Sequence, residues 1–125
     1  MISGTVSTNR EAVLQLTVTD ANNQLHDIRA IIDTGFNGFL TLPPDLIDML
    51  GLTWLRLTRA ILADGSEIVT NVYEVNLLWD EQPVTISASE ADADPLVGMS
   101  LMYGYELNMP ILDGATFTLR SIHNL

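Results

Sequence analysis

Ala30-Ile31-Ile32-Asp33-Thr34-Gly35-Phe36-Asn37-Gly38-Phe39-Leu40 is the stretch on which the fold of this chain turns. The apolar, β-branched lead-in reads as a buried strand. It stops in a carboxylate, a Thr and a Gly, and an apolar run resumes from Phe39 to Leu42. An acid held beside a core is costly unless something satisfies or uses it. Gly35 permits a close backbone approach, and the Thr34 hydroxyl is available to anchor the loop. The plain structural reading of the same residues is an Asp that opens an ordinary turn after a strand.

Outward from this stretch the dominant period is two. Leu14, Leu16 and Val18 alternate with Gln15, Thr17 and Thr19, which predicts a strand with one wet face. Asp20-Ala21-Asn22-Asn23 is a turn cluster, so Leu25 to Ile32 should return as its hairpin partner. Pro43-Pro44-Asp45 opens a helix over Pro44 to Leu50, with Leu46, Met49 and Leu50 on one face and Gly51 as the C-terminal cap. Trp54 to Leu62 and Glu67 to Trp79 read as strands joined by Ala63-Asp64-Gly65-Ser66, where Asp-Gly is a strong hairpin signal. Glu81-Gln82-Pro83 reads as a turn, Val84 to Ser87 as a short strand, and Ser89 to Asp94 as an acidic loop. Met99 to Tyr103 has room for one or two helical turns. Tyr105 to Met109 and Ala115 to Leu119 form a closing hairpin through Leu112-Asp113-Gly114. Met1 to Arg10 and Arg120 to Leu125 fit sheet strands or loose ends equally well. With no linker and no repeat, residues 1–125 form one mostly-β domain with the pattern of a barrel.

A carboxylate on a tight, rigid loop suits hydrolysis of a peptide bond when it meets a second one. Two carboxylates about 3 Å apart cannot both ionise, so they share a proton, and one serves as base while the other serves as acid. Only one Asp-Thr-Gly occurs here, so the chain would have to pair with its own copy. These residues resemble the retropepsin-like (clan AA) aspartic proteases, in particular the small single-lobe bacterial type. Ile31-Ile32-Asp33-Thr34-Gly35 matches the family signature of two hydrophobic residues followed by Asp-Thr-Gly. Leu96-Val97-Gly98 matches its second signature, two apolar residues and a glycine before a short helix. The order of elements matches from about Val13 to about Leu119. The resemblance implies a closed acid-protease-like β-barrel with a flap hairpin and one or two short helices. It implies catalytic roles for Asp33, Thr34 and Gly35, and substrate-binding roles for the flap residues Ala63, Asp64 and Gly65. It implies a homodimer acting on an extended polypeptide, with no cofactor. Phe36 stands where the family commonly has Ala or Ser. Met99 stands where many retroviral members carry a basic residue that ties the subunits together, so this dimer needs other contacts. The first or last strand is expected to supply them, since an open sheet edge invites pairing. The alternative is a catalytically inactive protease-fold module for binding or dimerisation.

Composition bounds the remaining possibilities. The chain carries sixteen acids against five Arg and no Lys, for a formal net charge of -11. Such a chain is not expected to bind a nucleic-acid backbone or an anionic membrane. Lysine Schiff-base chemistry, Lys-containing phosphate loops, disulfides and Cys nucleophiles are excluded by the residues present. A hydrophobic fraction of 47% argues for a packed core. The N-terminus lacks a basic and apolar leader, and a cytoplasmic protein is expected. No metal site is expected: Glu90, Asp92 and Asp94 read as a solvated loop rather than a calcium site, and His26 and His123 have no metal-binding spacing. Gly98-Met99-Ser100 lacks the final glycine of a serine nucleophile elbow. Trp54, Trp79, Tyr73, Tyr103 and Tyr105 are expected mainly to fill core. Ile61, Leu62 and Ile68 fit either core or pockets for a substrate.

Overall fold

The computed structural model describes residues 1–122, so His123 lies outside the described residues. Ten strands and two helices follow in the order β1 (Ile2–Val6), β2 (Ala12–Thr19), β3 (Leu25–Ile32), β4 (Leu40–Leu42), α1 (Pro44–Leu50), β5 (Thr53–Ile61), β6 (Glu67–Trp79), β7 (Gln82–Glu90), β8 (Leu96–Val97), α2 (Met99–Met102), β9 (Tyr105–Asn108) and β10 (Thr116–Ser121). The alternation in β2 does what its period requires: Leu14, Leu16 and Val18 are buried, and β3 returns beside them in antiparallel register. Their turn is pinned by Asp20, whose Oδ1 accepts from the N–H groups of Asn22 and Gln24 while Oδ2 meets His26 Nε2 at 2.8 Å. The His26 hydrogen bond, then that from Gln24, lowers the Asp20 carboxyl below its ordinary value.

The ten strands form one sheet, ordered β5-β6-β7-β4-β8-β3-β2-β1-β10-β9. An additional pairing joins β6 to β2, so the pairings β2-β3-β8-β4-β7-β6 return to β2. Strand β6 makes this possible by changing neighbours along one edge. Its first part pairs with β5 as far as Glu74, and Asn76 to Leu78 pair with β2. Val75, at the change, is fully buried. The core gathers Leu14, Leu16, Leu40, Val75 and Val97 with Phe117 and Leu119 from β10. Gly4 is a glycine because β1 crosses the Phe117 ring so closely that a Cβ would strike that ring and the Val13 carbonyl.

Several elements differ from expectation. β1 pairs with both β2 and β10, so among the described residues the first and last strands are interior to the sheet and its edges are β5 and β9. The turn after β6 is Asp80-Glu81, both with positive φ, and Trp79 pairs directly with Gln82. Asp tolerates this conformation better than most side chains, whereas Glu has no such preference. Asp80 is held in place by the Met1 amino group at 2.6 Å and the Tyr105 hydroxyl at 3.1 Å. Strand β7 therefore includes Gln82 and Pro83 at its start and Ser89 and Glu90 at its end, residues that read as turn and loop. In α1 the buried residues are Ile47 and Leu50, while Met49 is exposed, because the seven-residue helix rests on its i, i+3 stripe. Gly51 caps it in the left-handed conformation, φ 63°. Among the described residues no helix is long and apolar enough to cross a membrane.

The β5–β6 hairpin is the other departure. Every residue of β5 but Thr58 is exposed, and so are Ile68 and Val69 of β6. Ile61 is 75% and Leu57 58% exposed. Ile61, Leu62 and Ile68 are thus surface residues, as are Trp54 and Tyr103, which were expected in the core. Trp79 is buried and meets Tyr105 edge to face, with ring centroids 5.9 Å apart. Tyr73 packs against the core.

Candidate active site

Asp33 follows directly from β3. Strand β8 lies between β3 and β4, parallel to the first and antiparallel to the second. The two sequence signatures are thereby brought side by side: Ile31 is paired with Leu96 and Ile32 with Val97. The strand order cannot be reached by hairpins alone, which is why β8 arrives from far along the chain. Buried Thr41 locks the arrangement by accepting the Leu96 N–H at 3.0 Å.

Main-chain hydrogen bonds then tie the loops to each other. Asp33 N–H donates to Val97 O at 2.9 Å, Gly98 N–H to Phe39 O at 3.0 Å, and Met99 N–H to Phe36 O at 2.8 Å. Ser100 adds its N–H to Gly38 O at 3.1 Å and its hydroxyl to Asn37 O at 2.5 Å. Phe36 turns its ring toward Gly38 and Gly98: a Cβ added at either glycine would come 2.6 Å from that ring. A Cβ at Gly98 would also strike the Gly38 carbonyl oxygen. The unusual bulk at position 36 is thus absorbed by glycines on two different segments. Ser100, Thr41 and Gly38 are braces that the signature alone did not reveal, because their partners lie far along the chain.

The Asp33 carboxylate is half-buried, and its Oδ1 accepts the Gly35 N–H at 2.9 Å. Its Oδ2 has no hydrogen bond among the described residues. Gly35 and Thr34 are exposed, and the Thr34 hydroxyl also finds no partner among the described residues. The loop is therefore held by main-chain bonds and Ser100 rather than by Thr34. One carboxylate oxygen is fixed in orientation and the other is open, an arrangement suited to a proton transfer at the open oxygen.

Ala63, Asp64 and Gly65 form the tip of the β5–β6 hairpin. Leu62 N–H donates to Ser66 O at 2.8 Å, and Gly65 turns with φ 86°. Asp64 Oδ1 accepts the Ser66 hydroxyl at 2.6 Å and its N–H at 2.9 Å. The hydroxyl, then the amide, lowers the Asp64 carboxyl below its ordinary value. No hydrogen bond joins this tip to the Asp33 loop among the described residues. The hairpin base is tied down elsewhere, by Trp54 Nε1–H donating to Asn71 Oδ1 at 3.0 Å and Asn71 Nδ2–H to Glu90 Oε2 at 2.8 Å.

This arrangement of strands has known counterparts. A retropepsin-like aspartic protease from Rickettsia conorii superposes with TM-score 0.65 over 94% of this chain and 87% of that one, at 17% identity. The foamy viral protease-reverse transcriptase, solved in complex with an RNA/DNA hybrid, superposes with TM-score 0.55 over 80% of this chain and 13% of that one, at 15% identity. The chain has the retropepsin-like fold. No protein-family sequence model matches it, and no curated protein does.

Within that fold the remaining candidates take structural places. Glu90 belongs to the hydrogen-bond chain under the hairpin, and no three metal-ligating side chains gather among the described residues. Arg29 is exposed, 4.0 Å from Glu11. Beside the Asp33 loop, and not including Asp33 itself, lies a cavity of about 770 Å³ between that loop, α2 and β9.

Proposed function

We propose that the chain is an aspartic endopeptidase that works as a homodimer, with one Asp33 from each copy. The observation that carries this reading is the open Oδ2 of a carboxylate whose Oδ1 is fixed by Gly35, on a loop cross-braced to Gly98. Where two such carboxylates meet, the ionised one takes a proton from a water held between them. The water attacks the peptide carbonyl, and the protonated partner supplies the proton that the leaving nitrogen needs. The pair titrates as a unit rather than as two independent acids. Thr34 and Gly35 complete the loop.

The β2-β3-β8-β4-β7-β6 ring is read as the closed barrel, and the β5–β6 hairpin as the flap. Its exposed Ile61, Leu62 and Ile68 provide apolar surface for substrate side chains. The main chain near Ala63, Asp64 and Gly65 adds hydrogen bonds to an extended polypeptide in the manner of an added strand. The residues need no metal or organic cofactor for this chemistry. A single-domain, cytoplasmic protein is the setting we infer.

The deciding experiment is cleavage of a broad peptide library between about pH 3 and pH 7, by the parent chain and by Asp33→Asn. Removing the acid–base group should lower turnover by about 10²–10⁴-fold or more, with fold and association unchanged. A statine-type transition-state mimic should block the parent. Turnover that survives Asp33→Asn moves the chemistry elsewhere, and a dimer without turnover favours a protease-fold binding module.

A further inference from the structure

We propose that the outer edge of β5 docks an extended, acidic segment of a partner polypeptide, added to the sheet as a further strand. The inference goes beyond the catalytic reading and does not rest on it. β5 ends the sheet, and its outer edge has no strand neighbour among the described residues. From Arg56 to Ile61 it keeps an unbroken antiparallel register with β6, so its outer side presents a regular ladder of main-chain donors and acceptors. Such an edge recruits another strand unless it is short, or carries Pro or Lys. This one runs from Thr53 to Ile61 with neither. What it has instead is a register shift and two Arg, and both select an occupant.

The register shift falls between Trp54 and Arg56. Trp54 lies opposite Tyr73 and Arg56 opposite the adjacent Val72, so Leu55 is the extra residue. The shift turns Trp54 to the face of Leu57 and Arg59. There its indole donates to Asn71, the cross-strand partner of Leu57. That face shows solvent Trp54 at 53% exposure, Leu57 at 58% and Val69 of β6 at 57%. Contiguous apolar surface of this kind marks a partner site. Arg56 and Thr58 stand on the opposite face.

Charge selects the occupant. The chain has five Arg and a net charge of -11, yet two of those Arg stand on β5, which holds no acid. Across the hairpin, residues 54–60 of β5 lie opposite the uncharged stretch Ile68 to Tyr73, and Glu74 and Glu67 stand only at the two ends. Arg56 has no ion pair among the described residues. Arg59 reaches Glu67 only at 3.9 Å with both side chains more than half exposed, a weak pair that a closer carboxylate displaces. Charges beyond about 8 Å are screened at physiological salt, so these local cations outweigh the distant acids. The β5 of a second copy brings further Arg and no acid, and fits poorly. Arg56 and Arg59 lie on opposite faces, so the acids that meet them on an antiparallel partner are three residues apart. The residue opposite Leu57 is apolar. The partner therefore reads acid, any residue, apolar, acid.

The experiment titrates the folded chain with two peptides of one composition, carrying Glu-Thr-Val-Glu or Thr-Glu-Val-Glu between identical threonine flanks. The second places both acids on one face. Fluorescence anisotropy, tryptophan emission and amide exchange are read together. The first peptide should bind about tenfold more tightly, protect amides within Thr53–Ile61 and shift emission to the blue, a shift that Trp54→Phe removes because Trp79 is already buried. Arg56→Glu combined with Arg59→Glu, both exposed and verified as folded by circular dichroism, should weaken binding about a hundredfold, tenfold for each opposed charge. Asp33→Asn should bind like the parent. Equal binding of the two peptides, no binding of either, or protection confined to other strands overturns the proposal. Binding that vanishes with Asp33→Asn places the peptide at the Asp33 loop and also overturns it. Protection of β5 that rises with protein concentration in the absence of peptide gives the edge to a second copy instead.

Discussion

The Asp33 loop and the tip of the β5–β6 hairpin are both tight turns carrying an aspartate and a glycine, yet they are built in opposite ways. The first is tied to a segment far along the chain, with main-chain bonds to Val97, Gly98, Met99 and Ser100 and a phenylalanine ring seated on two glycines. The second is held only by its own neighbours, Leu62, Asp64 and Ser66, and nothing lies within 4 Å of where a Gly65 Cβ would be. One aspartate is fixed by the tertiary fold, the other by a local turn. The proposed function uses both: precision of a reacting group favours the former, and a segment that opens for an extended chain favours the latter.

The contrast breaks most visibly at Gly98. Gly98→Ala should cost about 3 kcal/mol in urea unfolding, at the upper end for overpacking, because the new methyl meets main chain at Gly38 as well as the Phe36 ring. Gly65→Ala tests a different quantity there, since its strain comes from φ 86° and not from crowding. Ile61→Ser should change stability by less than about 0.5 kcal/mol, as for other exposed sites, while raising KM if the hairpin grips substrate. A loss comparable to a core truncation would show that Ile61 is packed in the isolated chain. The smallest effect is the titration of the hairpin tip. The folded Asp64 carboxyl is lowered from 3.8, so its hold on Ser66 is fully present above that pH and is lost as pH falls through the lower folded value. The Ser66 amide resonance should therefore move with a midpoint below 3.8, with no accompanying global unfolding.

Much of the fold was legible from residues. The Pro44–Leu50 helix has its proline at the start and its glycine at the end, and the bounds of β6 follow from its long apolar and β-branched run. The Asp33 and Leu96-Val97-Gly98 signatures did come together. What resisted reading were features decided by distant partners. Asp80-Glu81 turns with two positive φ angles; Asp tolerates this locally but Glu does not, and Met1 and Tyr105 hold Asp80 from elsewhere in the chain. Strand β7 is long but rich in Ser, Thr and Ala, so its alternation is faint. Phe36 departs from the family pattern, and the two glycines that accommodate its ring lie on separate segments. Trp54 and Tyr103 are exposed although their type favours burial, and no periodicity marks a surface aromatic.

Strand β6 changes neighbours at a fully buried Val75, and this makes the hairpin a cantilever. Its root is clamped in the sheet between β2 and β7, and the arm beyond Val72, the last residue of β6 paired with β7, extends about 17 Å. A rotation of a few degrees at the clamp sweeps the tip by an ångström or more while barely disturbing β2. Leverage of this kind lets one uninterrupted strand be stiff at one end and compliant at the other, with no hinge glycine in between.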